Sequence, residues 1–545
     1  MSYRACATHL HLHTSMESGG CIAGHMANAR KLGMRYIWFT DHDYRLSIRE
    51  NAAHGFPFTG PDMTVDHAGY PCGFAASGDG DASMVPSDGG YALRLTPAAA
   101  GDGRPGSVRA EFVSGKNAVK SLHVLSLQHG VTLETRWKLD GFDPAVHRLI
   151  VEITLSKRPP DGLPARMLYV LGRTDGLGGP HTQILPLPAD FGGERRFEPS
   201  LDVSADPEIG GRDNAFAGFS VTLETCGRPF SASLSRFDIV TARSGEDVRQ
   251  AQIALAGEMY ERYGVTAFFG NEVSRVSHRN CFSTDVPVYS YPDGWTLPDV
   301  LAYLQDHGAV YAHNHPLSGM TPGDETRLLA AARALLDSRA WGASLIEVGY
   351  PMGRGGSLAD YLRLWDILTA HGLFLTGYGS SDSHDITKNW FDGNNFCGFF
   401  LVDADLPDPV PESAFLDAMR AGRAYTGDPA RLSCEVSFAS ADGTLPMGAA
   451  KRALADESLP LRFSMAGTGA GWRFRCVMNG RVAGEQVLSG GKYVYETILT
   501  ADRPVSFARC ELYDETGRCI LLTNPIHLVT DDALPVPAVR EYTAK

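Results

Sequence analysis

The chain has 545 residues, 43% hydrophobic and 21% charged, with a formal charge of −14. At about 150 residues per domain that length predicts two to four domains, and the composition is that of a globular protein. The acidic excess, with no cluster of Lys and Arg, excludes the electrostatic footprint of a nucleic-acid binder, and no apolar run reaches the roughly 20 residues of a membrane span.

The first sixty residues alternate strand and helix. "THLHLHT" reads as a strand, "GHMANARKLG" as a helix ending at Gly33, and "YIWFTDHD" as a second strand with a polar end, an order that makes one βαβ unit. The N-terminus "MSYRACATHLHLH" lacks the anatomy of a secretory leader. From Thr64 the texture becomes Gly- and Pro-rich, with short alternating runs such as "VTLETRWKL", "RLIVEITL" and "FSVTLET". Residues 64–244 therefore read as a β-sandwich, inserted into an α/β domain that comprises 1–63 and resumes over 245–429. There, "LPDVLAYLQDHG" leads to "AVYAHNHP", "ETRLLAAARALLDSRA" to "SLIEVGYP", and "SLADYLRLWDILTAHG" to "LFLTGYGSSDSHD". Repeated helix-then-strand units predict parallel strands, in an open sheet or a barrel. Residues 430–545 return to short alternating strands and predict a second sandwich. The ten cysteines include no C-x-x-C pair, which predicts reduced thiols and a cytoplasmic protein.

The chemistry is concentrated at strand ends. His11 and His13 are two apart and share a strand face. Asp41 and His42 close the next strand, Glu272 the strand after it, with His278 six residues on. His313 and His315 close "YAHNHP", Glu347 lies in "IEVGY", and Asp382, His384 and Asp385 end the last. Imidazoles and carboxylates converging at C-terminal strand ends form a ligand set for two or three divalent ions, with nitrogen and oxygen donors and no sulfur.

The ordered motifs "HLHT", "TDHD", "GNEVS" with a following histidine, "AHNHP" and "GSSDSH" resemble those of the polymerase-and-histidinol-phosphatase (PHP) family, over residues 5–60 and 245–430. The resemblance implies a distorted (β/α)7 PHP barrel carrying the inserted and C-terminal β-sandwiches, with manganese as the first choice of metal and iron or zinc as alternatives. It makes His11, His13, Glu272 and Asp382 one metal set, with Glu272 bridging to a second ion held by His278 and either His313 or His315. A third ion would use His42 and His384. The family's usual aspartate in that turn is replaced here by "ESGG", so either Glu17 reaches the site or a two-metal centre remains. The large insertion, "AMRAGRAYTGDP" and "LLTNPIHL" are similar to the carbaryl-hydrolase branch of the family.

Paired cations lower the pKa of bridging water towards about 7 and neutralise an anionic transition state. The function expected is therefore a phosphoesterase, a phosphodiesterase on a small organic ester before a monoesterase, with a metal-bridging hydroxide as nucleophile. Hydrolysis of an aryl carbamate or carboxylic ester by the same centre is the alternative. Asp41, His42 and His384 are the candidate proton donors. Arg45, Arg275 and Arg279 are candidate clamps for substrate oxygens. Glu347 is a ligand, an orienting residue or a hydrogen-bond acceptor behind the ligands. The partner expected is a small phosphate ester, not nucleic acid or membrane, and a homo-oligomer is left open.

Overall fold

The computed structural model describes residues 2–17, 20–47, 53–55, 58–67, 70–99, 104–114, 125–157, 161–199, 213–274, 278–286, 294–349, 355–387, 390–391, 396–432 and 436–542. The chain divides into two compact units. One comprises Met1–His13, His25–Asp43 and Ala256–Lys545, and the other Thr14–Gly24 and Tyr44–Leu255.

The first unit is organised by one sixteen-stranded sheet. Leaving aside the strands of the second unit, the chain's elements begin with β1 (Tyr3–Leu12), α1 (Ile22–Lys31), β2 (Tyr36–Phe39), α2 (Asp43–Leu46, all but Asp43 in the second unit), α3 (Glu246–Tyr263, divided between the two units), β3 (Thr266–Val273) and β4 (Arg279–Phe282). Three helix–strand pairs follow: α4 (Leu297–Asp306) and β5 (Val310–His313), α5 (Glu325–Asp337) and β6 (Leu345–Gly349), and α6 (Leu358–Ala370) and β7 (Thr376–Gly379). Then come β8 (Cys397–Asp403), α7 (Glu412–Ala421), β9 (Ala424–Gly427), β10 (Val436–Ser440), β11 (Ala450–Arg452), β12 (Ser458–Met478), β13 (Arg481–Thr500), β14 (Val505–Tyr513), β15 (Cys519–Thr523) and β16 (Ile526–Val529). The strand order is β7-β6-β5-β4-β3-β2-β1-β8-β9-β15-β14-β12-β10, with β13 on β12 and β16 on β14 and β11.

The expected (β/α)7 PHP barrel is overturned by this topology. Strand dominates, in three large sheets, and the described residues hold seven α-helices. Strand β4 runs antiparallel to both β3 and β5, where a barrel would place a helical crossover. Strand β8 is antiparallel to β1. The C-terminal strands, expected to stand apart as a sandwich, continue the same sheet through β9 and β15. Hydrophobic periodicity identifies each segment's type but not its partner. A four-residue strand such as "RNCF", half of it polar, carries no signal of its direction in the sheet.

Local chemistry sets the helix ends that aim the strands. Ser357 Oγ accepts from the Asp360 amide at 3.2 Å while Asp360 accepts from the Ser357 amide at 2.8 Å, a reciprocal cap that starts α6. Trp365 in α6 donates to the Leu375 carbonyl at 3.0 Å. Its ring lies so close to β7 that a Cβ on Gly377 would sit 2.6 Å from it, so this position requires glycine. Asn524 donates to the carbonyls of Gly377 and Ala424 and accepts from the Gly377 amide, fixing β7 beside β9. Buried Arg509 of β14 grips Asp366 of α6 through two contacts of 2.9 Å.

Three backbone hydrogen bonds gather the C-terminal strand ends. Ser383, beyond β7, accepts from the His13 amide at 3.0 Å and donates to the His11 carbonyl at 3.3 Å. The Glu272 amide donates to the Asp41 carbonyl at 3.0 Å. The ends of β1, β2, β3 and β7 are thereby drawn to one place.

The second unit consists of two antiparallel-rich sheets, six- and eight-stranded. Leu93, Trp137, Leu149, Val151, Phe219 and Phe237 from both sheets share one buried cluster, as facing sheets require.

Candidate metal centre

His11 lies in β1 and His13 directly follows its end, the two alternating with Leu10 and Leu12, and all four are buried. The two imidazoles therefore leave the same face. His11 lies at the centre of the cluster. Its Nδ1 is 2.7 Å from Glu347 Oε1, and its Nε2 is 3.3 Å from Asp382 Oδ1 and 3.6 Å from Glu272 Oε2. His13 Nε2 is 3.1 Å from Asp382 Oδ1 and 3.6 Å from Glu272 Oε2. Glu272 meets His42 Nδ1 at 2.7 Å through Oε2, and His278 Nδ1 at 2.8 Å and His315 Nε2 at 3.8 Å through Oε1. His384 stacks on His13 with ring centroids 4.1 Å apart, its Nδ1 3.4 Å from Asp382 Oδ1.

Ligand atoms of three groups lie within 4.8 Å of one another: His11, His13 and Glu272; His42, Glu272 and His278; and His13, His42 and His384. Glu272 joins the first two, and His13 and His42 join the third to them. Asp382 and His315 both hold positive φ, of 48° and 25°. Non-glycine residues pay for that conformation, and such strain gathers at functional sites.

The electrostatics favour cations. Burial alone would raise the carboxyl of Glu272, but His42, His11 and His278 hold it well below the ordinary range. Asp382 is lowered in the same way by His11, His13 and His384, and Glu347 by His11, His315 and Ser380. Among the imidazoles, burial lowers His11 but the three carboxylates more than compensate and leave it raised. His315 is also raised, through Glu272 and Glu347. Burial and the neighbouring His384 and His42 push His13 well down. Three buried carboxylates and several imidazoles thus share one desolvated place, where cations would neutralise the charge that burial otherwise makes costly. His11 Nε2 and Glu272 Oε2 are buried, and their close contacts with neighbouring ligand atoms lack hydrogen-bond geometry among the described residues. These residues fit a centre of divalent ions. The mixed nitrogen and oxygen donors suit manganese, iron and zinc alike, so the expected preference for manganese is withdrawn, and neither the donor set nor the β-rich fold by itself singles out a phosphoester substrate.

Glu347 is held behind the ligands. It accepts from His11 Nδ1, from Ser380 Oγ at 2.7 Å, from Tyr378 Oη at 3.1 Å and from the His315 amide. Donation from Nδ1 leaves the lone pair of His11 on Nε2, facing Glu272 and Asp382. Sequence reasoning overlooked Ser380 and Tyr378, and also Asn314, whose Nδ2 donates to Glu272 Oε1 at 2.9 Å, and Ser274, whose Oγ is 2.6 Å from His42 Nδ1. Asn314 stands between two histidines in "AHNHP", and that position was the available signal.

Of the two histidines in that motif, His315 faces Glu272. His313 Nδ1 instead accepts from Arg279 Nη1 at 2.7 Å. Asp41 is buried and meets Glu272 through its backbone carbonyl. Arg45 belongs to the other unit, its guanidinium 5.3 Å from the Tyr44 ring. Glu17 also belongs to that unit, with its side chain outside the described residues, as is the whole of Arg275. A cleft of about 710 Å³ opens onto the centre, lined by His42, His278, Arg279, His313, His315 and His384 among others.

No family model and no curated protein matches the chain. Among solved structures, the family 12 xyloglucanase from Bacillus licheniformis is 10% identical, covering 35% of this chain and 99% of its own, with a TM-score of 0.24. A Bacteroides uniformis beta-glucuronidase is 11% identical over 81% of this chain and 61% of its own, at 0.15. A CARDB domain from Pyrococcus furiosus is 9% identical over 18% and 95%, at 0.14. TM-scores this low carry no inference about fold or function.

Proposed function

We propose that this chain is a metal-dependent hydrolase of small phosphate esters, a phosphodiester before a monoester. The observation that carries the reading is the convergence of His11, His13, His42, Glu272 and His278 in overlapping groups whose ligand atoms lie within 4.8 Å. The motif resemblance to metal-dependent phosphoesterases supports it. Divalent ions held there supply Lewis acidity and make water nucleophilic near neutral pH.

The chain's own residues do the rest. His11, His13, Glu272 and Asp382 would hold one ion, and Glu272, His42, His278 and His315 a second. Glu347 and Asn314 lock His11 and Glu272 in place, so the donors need not reorganise during turnover. His384 lines the cleft and is a third exposed. Its Nδ1 donates to the Asp382 carbonyl at 3.0 Å, which leaves the Nε2 lone pair to take a proton from the attacking water and then hand it to the departing oxygen. An acidic surface argues for a small ester rather than nucleic acid as substrate. No helix among the described residues is long and apolar enough to cross a membrane. Nine described cysteines are free, which supports a reducing, cytoplasmic setting.

The test strips the purified protein with a chelator, reloads it with Mn²⁺, Fe²⁺ or Zn²⁺, and assays bis(p-nitrophenyl) phosphate beside 1-naphthyl N-methylcarbamate. Metal-restored turnover of the phosphodiester is expected. Turnover of the carbamate alone transfers the reading to a carbonyl electrophile, and turnover of neither under any ion overturns it.

A further inference from the structure

We propose that Arg279 and His313 form an anion subsite in the cleft, so that the favoured substrate carries a second anionic group, a carboxylate or phosphoryl, beside the ester that is cut. This rests on the hydrolase reading above. Strands β4 and β5 place the two residues directly opposite each other, and both line the cleft. Arg279 is 5% exposed. Its Nη1 donates to the His278 carbonyl at 3.0 Å and to His313 Nδ1 at 2.7 Å, while its buried Nε has no partner among the described residues. No carboxylate among the described residues lies within ion-pairing distance of it. Buried arginines are ordinarily paired, so an unpaired one at the wall of a cleft is a place for an external anion.

The tautomer of His313 follows from the same contact. His313 Nδ1 also lies 3.2 Å from the Asn314 carbonyl, but a guanidinium can only donate, so the shorter 2.7 Å contact with Arg279 has Nδ1 accepting and the ring proton on Nε2. The pair therefore presents a charged donor and a neutral N–H donor, both suited to an anionic oxygen. A chain carrying −14 repels anions at long range, and a cation inside the cleft supplies the short-range attraction that such a substrate needs.

The experiment has a binding arm that does not depend on turnover. Calorimetry on the metal-loaded protein compares 3-phosphonopropionate and propane-1,3-bisphosphonate with propylphosphonate, which lacks the second anion. The wild type is expected to favour both dianionic-site probes over propylphosphonate by roughly 10- to 100-fold, the usual yield of a charge-assisted contact. That preference should fall to within about 3-fold in Arg279→Met and be partly restored in Arg279→Lys. A preference for only one probe identifies carboxylate or phosphoryl as the second group. His313→Phe, which removes the Nε2–H, is the companion variant should Arg279→Met not fold, and it should lose part of the preference. No preference in the wild type, or an unchanged preference in the variants, overturns the subsite. A kinetic arm compares 2-phosphoglycerate with glycerol 2-phosphate. Failure to hydrolyse any ester, with the binding preference intact, would sink the hydrolase reading and leave the subsite standing.

Discussion

Replacing Glu347 by alanine perturbs the support of the centre without removing any proposed metal ligand. Four donors converge on this carboxylate: His11 Nδ1, Ser380 Oγ, Tyr378 Oη and the His315 amide. The two hydroxyls can rotate towards other acceptors, whereas the His315 amide and the His11 ring N–H are fixed by the backbone and the ring. Two stranded buried donors cost about 1–3 kcal/mol each, so Glu347→Ala should destabilise the metal-free protein by about 4 kcal/mol. His11 also loses the contact that sets its tautomer and ring angle, and a lost partner of that kind typically weakens metal affinity by about 10- to 100-fold. Urea unfolding of the chelator-treated protein measures the first quantity, and competition against a calibrated chelator the second. A variant within about 1 kcal/mol of wild type that also binds metal within about 3-fold would refute the assignment of Glu347 as the group that orients His11.

His11→Ala and Asp382→Ala should each lower kcat by several orders of magnitude while far-UV circular dichroism is retained; wild-type rates in either would contradict the ligand assignment. His315→Ala should reduce the metal content of the purified protein, and His313→Ala should not, because only His315 faces Glu272; equal losses would show that both ligate. Acid sensitivity has a separate source in His527, which burial pushes down to about 3 despite its contact with the Ala449 carbonyl. The folded state keeps it neutral while the unfolded chain protonates near 6.5, so its contribution is whole above about 6.5 and falls by up to about 5 kcal/mol as pH drops towards 3. In unfolding curves at pH 7, 5.5 and 4.5, His527→Gln should lose less stability on acidification than wild type; parallel losses would count against this.

The residues of the centre were legible because their chemistry is unusual where they stand. A strand that places imidazole at two same-face positions, and strands that repeatedly end in His, Asp or Glu, announce a ligand set whatever sheet they join. The choice between His313 and His315 was not legible, because it depends on a positive φ at His315 that turns the chain after β5, and periodicity says nothing once a strand has ended. Arg279 offered a basic residue beside His278, but its lack of a counter-ion emerges only from the pairing of β4 with β5. The sheet was the least legible feature. Short apolar runs such as "CILLT" mark strands without naming their neighbours, so the pairing of β15 with β9, which joins the C-terminal strands to the site-bearing sheet, had no local signature.

The claim on which all of this depends is that His11, His13, Glu272 and Asp382 belong to a shared centre that binds divalent ions. Equilibrium dialysis of the chelator-treated protein against Mn²⁺, Fe²⁺ and Zn²⁺ in turn, followed by elemental analysis, measures that directly. At least two tightly bound ions per chain are expected for the wild type, falling by one or more in Glu272→Ala. Fewer than one bound ion in the wild type, or the same number in both proteins, would contradict the account.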